Sequence, residues 1–231
     1  VTNKWKAEKV VREFNVSEKK IILERNAVDI KEFDIPIEKA EARKKFGLPV
    51  EKQIAIYTGH LYSWKGTDTL AEAARAIPEI LVVFVGGTDP DIEHFKALFG
   101  SIENIMLVGY KDHREVPYWQ KAADVLVLPN TAKENISKYY TSPMKLFEYM
   151  ASKRPIVATD IPSVREILND TNAVIISPDD SEAMAKGIME ALQNNNKVEK
   201  ITRKAYSDVG LHTWKERAKR ILGFIEKEEE V

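Results

Sequence analysis

Residues 139–160 read YYTSPMKLFEYMASKRPIVATD and place a lysine and a glutamate, Lys145 and Glu148, three apart just behind a Ser-Pro step. In a helix that spacing puts both side chains on one face. Ser142 suits the N-cap and Pro143 the first helical position, where its missing N–H costs nothing. The free N–H groups of the first turn, among them those of Met144 and Lys145, would then form an anion site favoured by the helix dipole. Glu148 lies roughly 7 Å along the axis from the helix start, about the reach from a phosphate to its own ribose. The same spacing also suits a plain surface ion pair, and spacing alone leaves both readings open.

A second group of chemical residues stands in TGHLYSWKGTD (58–68), where His60 and Lys65 lie between Gly59 and Gly66. Lys65 reads either as an exposed loop lysine or as a phosphate contact, and His60 either as a structural histidine or as its partner. His94, His113 and His212 fall on separate segments with no metal-ligand spacing, so no metal site is expected. No Gly-x-Gly-x-x-Gly follows a strand, and neither a Walker-type loop nor a Gly-x-Ser-x-Gly elbow occurs, so no nicotinamide or flavin cofactor is expected.

The elements that must position these residues are legible from patterning. Apolar runs rich in Val and Ile recur at 53–59, 80–87, 104–109, 124–129, 155–160 and 173–178 and read as strands buried on both faces. Between them lie amphipathic segments with helix start signals at Thr67, Pro90 and Asp180. This alternation predicts an α/β fold: a doubly wound, Rossmann-like, six-stranded parallel sheet with helices on both faces. In the strand order 3-2-1-4-5-6, ligands bind where the order reverses, beyond the carboxyl ends of strands one and four. The loop after strand one carries His60 and Lys65. The loop after strand four, PNTAKENISKYYTSP (129–143), is long and aperiodic, as functional or mobile loops are.

Composition narrows the partners. Lys and Arg total 35 against 36 Asp and Glu, a net charge of −1, so no global field exists to hold nucleic acid or an anionic membrane. Cysteine is absent, which removes thiolate chemistry and sulfur-ligated zinc and suits the cytoplasm. No window approaches a membrane span and no signal peptide is visible, so a soluble protein is expected. Of the 231 residues 44% are hydrophobic, enough for one domain or one and a half. The chain opens on Val1, as a processed product or a piece of something longer would. Residues 3–14 read as a helix and 20–29 as a strand-like run ending in a turn. Residues 212–227 read as a helix whose stripe of Trp214, Ala218, Ile221, Leu222 and Ile225 needs a partner surface.

Seven stretches carry a resemblance: ERNAVDIKEFD (24–34), YTGHLYSWKGTDTLAEA (57–73), LVVFVGG (81–87), IMLVGY (105–110), AADVLVLPN (122–130), SPMKLFEYMASKRPIVATDIPSVREI (142–167) and IISPDD (175–180). In order and spacing they resemble the donor-binding, C-terminal half of glycosyltransferase family 4 enzymes, which have the GT-B fold. The resemblance covers residues 20 to about 220. It implies the donor-binding half of a retaining, metal-independent hexosyltransferase that moves a sugar from a nucleoside-diphosphate sugar to an acceptor. The alternatives are a nucleotide-sugar epimerase or a noncatalytic nucleotide-sugar-binding subunit.

By position, the resemblance implies that Lys65, with His60, meets the donor diphosphate and that Glu148 accepts from the ribose hydroxyls. Tyr140, Thr141, Ser142 and the amides of Met144 and Lys145 would hold phosphate or sugar. The backbone at Gly109 and Tyr110 would contact the base. Two departures stand out. Many members carry a sugar-contacting Glu where this chain has Tyr140, with Glu134 a possible substitute, and Arg where it has His60. No catalytic residue is assigned, because in the implied mechanism the leaving diphosphate takes the acceptor proton.

The resulting division is 1–30 as linker from a missing N-terminal domain, 31–210 as the nucleotide-sugar-binding domain and 211–231 as a helix packing toward the missing domain. That acceptor-binding domain, in the same chain or as a partner, would supply any peripheral membrane contact. Alone, the chain is expected to be inactive and cytoplasmic, with the cytoplasmic membrane face as the other location for the complete protein.

Overall fold

The computed structural model describes residues 1–193 and 195–229. In chain order the elements are α1 (Lys4–Phe14), α2 (Ile30–Phe33), α3 (Lys39–Lys45), β1 (Ile54–Thr58), α4 (Thr67–Arg75), β2 (Leu81–Val85), α5 (Asp89–Phe99) and β3 (Ile105–Gly109). They continue with α6 (Val116–Ala122), β4 (Val125–Leu128), α7 (Met144–Ala151), β5 (Ile156–Thr159), α8 (Pro162–Arg165) and β6 (Val174–Ile176). Three helices close the chain: α9 (Ser181–Leu192), α10 (Asn196–Val209) and α11 (Trp214–Glu229).

The six strands form one parallel sheet in the order β3-β2-β1-β4-β5-β6, the expected doubly wound arrangement. Alternation along each strand divides the core in two. Ile54, Ile56, Val83, Leu126 and Ile156 face a cluster with α2, α3, α6, α7 and α10. Ala55, Tyr57, Val82, Phe84, Val125 and Val157 face α4, α5 and α9. β1, β2, β4 and β5 are buried throughout, whereas β3 is only half-buried along its length. Its place at the sheet edge explains the departure from the both-faces-buried reading.

The ends differ more. Residues 20–29 are not a strand: the segment is extended, and only Val28 makes a single bridge, to Thr213. Its backbone finds other partners, for the Val1 ammonium donates to the Ile22 carbonyl at 2.9 Å and the Glu24 N–H to the Val1 carbonyl at 2.8 Å. With those groups satisfied it needs no neighbouring strand. α1 contributes no buried residue, and Phe14 is exposed. On α11, Trp214, Leu222 and Ile225 are likewise exposed. No helix among the described residues is long and apolar enough to cross a membrane.

Thr67 is the first helical residue of α4 and not its cap. The cap position is held by Gly66 at φ +73°, with no side-chain bond. Asp180 does cap α9, accepting from the Ala183 N–H at 2.9 Å. Pro90 sits inside the first turn of α5, which Thr88 and Asp91 close with a capping box.

Candidate functional site

The strand order reverses between β1 and β4, and the loops leaving their carboxyl ends meet there. Gly66 joins them so closely that an added Cβ would stand 1.9 Å from the Pro129 carbonyl oxygen. Its positive φ adds a further penalty for any other residue. Gly66→Ala should therefore cost about 3 kcal/mol or more and separate the two loops, measured as a fall in the denaturant midpoint. A neutral substitution would mean that the close approach is not needed.

The 129–143 loop is anchored along its length. The Asn130 amide donates to Ser137 Oγ at 3.3 Å, Thr159 Oγ1 donates to the Asn130 carbonyl at 2.7 Å, and Ser163 Oγ donates to the Ser137 carbonyl at 2.7 Å. Thr131 Oγ1 donates to Asp179, whose other oxygen accepts from the Ala132 N–H at 2.9 Å. Its second half is a π-helical turn, Ile136–Tyr140, a geometry enriched at functional sites.

α7 starts at Met144, one residue later than expected. Pro143 occupies the cap position with an extended ψ of 123°, and no side chain caps the helix. Ser142 lies outside the helix, and the proline that follows it disfavours helical geometry there. Its carbonyl accepts from the Asn26 amide at 2.6 Å, and its Oγ lies 3.5 Å from the Asn26 N–H. The Thr141 carbonyl accepts from the Asn3 amide at 3.1 Å. The 1–30 segment thus holds the approach to the helix, and the first-turn amides remain without a side-chain cap.

Lys145 and Glu148 are not a surface pair. Lys145 Nζ is buried, has no hydrogen-bond partner among the described residues, and lies 3.7 Å from the centroid of the Tyr57 ring. It fits because the facing residue is Gly59, where a Cβ would come within 3.0 Å of the ammonium. Beneath it the Tyr57 hydroxyl donates to the His60 carbonyl at 2.6 Å, and the Tyr149 hydroxyl accepts from the Thr58 N–H at 2.8 Å. Burial, then the charge of Lys65, pull the Lys145 pKa well below the usual lysine range, against a smaller opposing pull from Glu148.

Lys65 Nζ lies 3.7 Å from the centroid of the Trp64 ring, and burial lowers its pKa to about 8, with no carboxylate to offset the loss of water. Two neighbouring lysines are thus partly desolvated at the same end of the sheet. Such an arrangement suits an anion that the protein itself does not supply.

Glu148 is buried on the same helix. Its Oε2 accepts from the Gln120 amide at 3.4 Å, and its Oε1 stands 3.8 Å from His113 Nε2. The nearby carboxylate raises the His113 pKa despite partial burial. His113 and Gln120, which the sequence does not single out as candidates, join the candidate site through these contacts with Glu148. A carboxylate held by weak side-chain partners keeps acceptor capacity for further donors, such as vicinal hydroxyls.

The remaining candidates lie around this centre. His60 is exposed, its ring stacked on Tyr62 with centroids 4.8 Å apart and planes within 1°. Gly109 ends β3 at φ +75°, its carbonyl accepting from the Gly86 N–H at 2.9 Å, and Tyr110 beyond it is 76% exposed. Tyr140 closes the π turn, with Lys9 Nζ 5.6 Å from its ring centroid. Glu134 is exposed. Among the described residues no group of three His, Asp or Glu side chains could hold a metal.

The sequence model of the family described as "Glycosyl transferases group 1" matches residues 38–208. The chain belongs to the group 1 glycosyl transferases. Among relatives in this family, an alpha-D-kanosaminyltransferase of Streptomyces kanamyceticus is 25% identical over 171 residues, covering 71% of this chain and 42% of its own length. A lipopolysaccharide core biosynthesis mannosyltransferase of Rhizobium meliloti is 28% identical over 173 residues, 69% of this chain and 47% of its own. The chain spans about half the length of the curated relatives it matches.

Solved structures share the fold. Sucrose-phosphate synthase from Thermosynechococcus elongatus superposes with a TM-score of 0.80 at 22% identity, covering 98% of this chain and 57% of its own. HepE from Anabaena, in complex with UDP, gives 0.81 at 17% identity over 98% of this chain and 63% of its own. The GT-B assignment of the fold is thus borne out.

Proposed function

We propose that this chain is the donor-binding half of a retaining glycosyltransferase that transfers a sugar from a nucleoside-diphosphate sugar to an acceptor. One observation carries the reading: Lys145 is a buried ammonium with no hydrogen-bond or ion-pair partner among the described residues and only a weak pull from Glu148, beside a second desolvated lysine and at the start of a helix with no side-chain cap. A diphosphate supplies the missing charge. Glu148, one turn further along α7, then accepts from the ribose hydroxyls, and the β3 end at Gly109 and Tyr110 lies beside the base. The family membership and the UDP held by the Anabaena structural neighbour support the same ligand class.

In this reading the protein contributes charge stabilisation and positioning. As the bond from the anomeric carbon to the diphosphate breaks, negative charge grows on the leaving oxygen, which Lys65, Lys145 and the first-turn amides of α7 would stabilise. The leaving diphosphate takes the acceptor proton on the same face, so no side-chain base is required. Neutralisation by lysines also makes a metal ion unnecessary. The acceptor would be held by a further domain across the cleft, with α1 and the exposed stripe of α11 as the surfaces turned toward it.

A thermal-shift series with UDP-, GDP- and ADP-sugars tests the proposal. One base series should raise the melting temperature of the chain in a dose-dependent way while the chain alone transfers no sugar to added acceptors. No shift with any of the three at millimolar concentration would contradict the reading.

A further inference from the structure

A cavity of about 710 Å³ lies at the opposite end of the sheet from the proposed donor site. Gln53, Asp124 and Pro155, which precede β1, β4 and β5, form its floor, and α3, α9 and α10 form its walls. Its size is in the range of small-molecule sites. Six Lys or Arg side chains line it against three carboxylates.

Two of the three carboxylates are committed, and the third, Glu51, is exposed. Asp124 accepts from Lys39, from Arg43 and from the Ile54 N–H, and Glu199 pairs with Arg203 at 2.8 Å. Arg154 is different. Its Nη2 donates to the Lys121 carbonyl at 2.7 Å, but Nε is buried without a partner, and no carboxylate pairs with the guanidinium among the described residues. Lys52 at the same wall is likewise without an ion pair among those residues. Val50, Pro155, Leu192 and Val198 add apolar surface between the charges. Asp124 lies near enough to act on the guanidinium but is bonded to Lys39 and Arg43 instead, so Arg154 keeps free donors, and its planar fork suits phosphate oxygens.

We infer that this cavity is a second ligand site, which takes a phosphate group carried on a small, partly apolar body and holds it through Arg154 and Lys52. It is independent of the donor reading, because the two sites occupy opposite ends of the strands. The phosphate could belong to a free metabolite or to a lipid headgroup, and two arms of one experiment separate these sources.

The probes are inorganic phosphate and phenyl phosphate, titrated by calorimetry into the full chain carrying Lys145→Met so that binding at the donor site is weakened. Phenyl phosphate should bind more tightly than inorganic phosphate, with amide shifts in nuclear magnetic resonance clustered at Gln53, Asp124, Thr202 and Tyr206. Arg154→Gln should weaken binding roughly ten- to a hundredfold and Lys52→Ala several-fold. Lys52→Ala keeps the test valid should Arg154→Gln fail to fold. In the second arm, vesicles of phosphatidic acid and of phosphatidylcholine are compared by sedimentation. Binding to phosphatidic acid alone that falls with Lys52→Ala supports the site with a lipid source. No binding of either probe and none to vesicles, binding unchanged in both variants, or shifts confined to the Lys65 and Lys145 region would overturn the inference.

Discussion

Lys145→Met should stabilise the chain and weaken its affinity for nucleotide sugars roughly ten- to a hundredfold. The ammonium sits buried without a hydrogen-bond partner, and such an unsatisfied donor costs about 1–3 kcal/mol. Contact with the Tyr57 ring returns part of that, so the net gain on removal should be about 1–2 kcal/mol, or roughly 2–8 °C in Tm. Methionine occupies similar volume and is at ease over an aromatic ring. The same change removes a charge-assisted contact to the diphosphate, a roughly ten- to hundredfold loss of affinity. Gain of stability with loss of binding marks a residue kept for function. Were Lys145 retained for folding, denaturant titration would show the opposite sign, with Lys145→Met less stable than the wild type.

Glu148→Gln should leave stability nearly unchanged and weaken nucleoside diphosphates roughly ten- to a hundredfold, because ribose hydroxyls donating to a carboxylate make bonds worth about 1.5–3 kcal/mol. The amide keeps the volume and one acceptor, and Gln120 can rotate its own amide to meet it. Pyrophosphate, which has no ribose, should bind the variant as it binds the wild type. Competition calorimetry separates the two ligands, and equal loss for both would assign Glu148 to the phosphates. His113 should respond in turn: without the carboxylate its raised pKa should fall toward the ordinary histidine range, a shift that proton resonance can follow.

The sheet was legible in the sequence because each strand is a short Val- and Ile-rich run between amphipathic segments, and one parallel order places helices on both faces. The helix that carries Glu148 was legible too, since a helix behind a Ser-Pro step is a local pattern. Long-range contacts were not. Nothing local to Lys145 shows that its side chain lies over Tyr57 opposite a glycine, so a surface pair with Glu148 fitted the spacing equally well. His113 was set aside for lacking ligand spacing, yet β3 delivers it to Glu148 from 35 residues away in sequence. Its position a few residues past a strand-ending glycine was the available signal. Ser142 does not cap the helix, and its Oγ accepts instead from the N–H of Asn26, far earlier in the chain. The strand-like run at 20–29 has the composition of a strand but no neighbour to pair with, which only the fold reveals.

If an anion completes Lys65 and Lys145, its binding must draw protons onto the chain. In the free chain burial sets the Lys65 pKa to about 8 and depresses that of Lys145. A bound diphosphate favours both charged forms and raises both values, so the complex holds more protons than its parts. Affinity is therefore highest below the free-chain value and falls as pH rises through about 8. The diphosphate diester of a nucleotide sugar has no ionisation of its own in that range. Calorimetry at about pH 8 in buffers of different ionisation enthalpy should register uptake of roughly half a proton from Lys65 alone, with Lys145 adding to it. Lys65→Ala should remove the Lys65 share. Tight binding with no proton uptake, and an affinity flat from about pH 7 to about pH 9, would contradict the account.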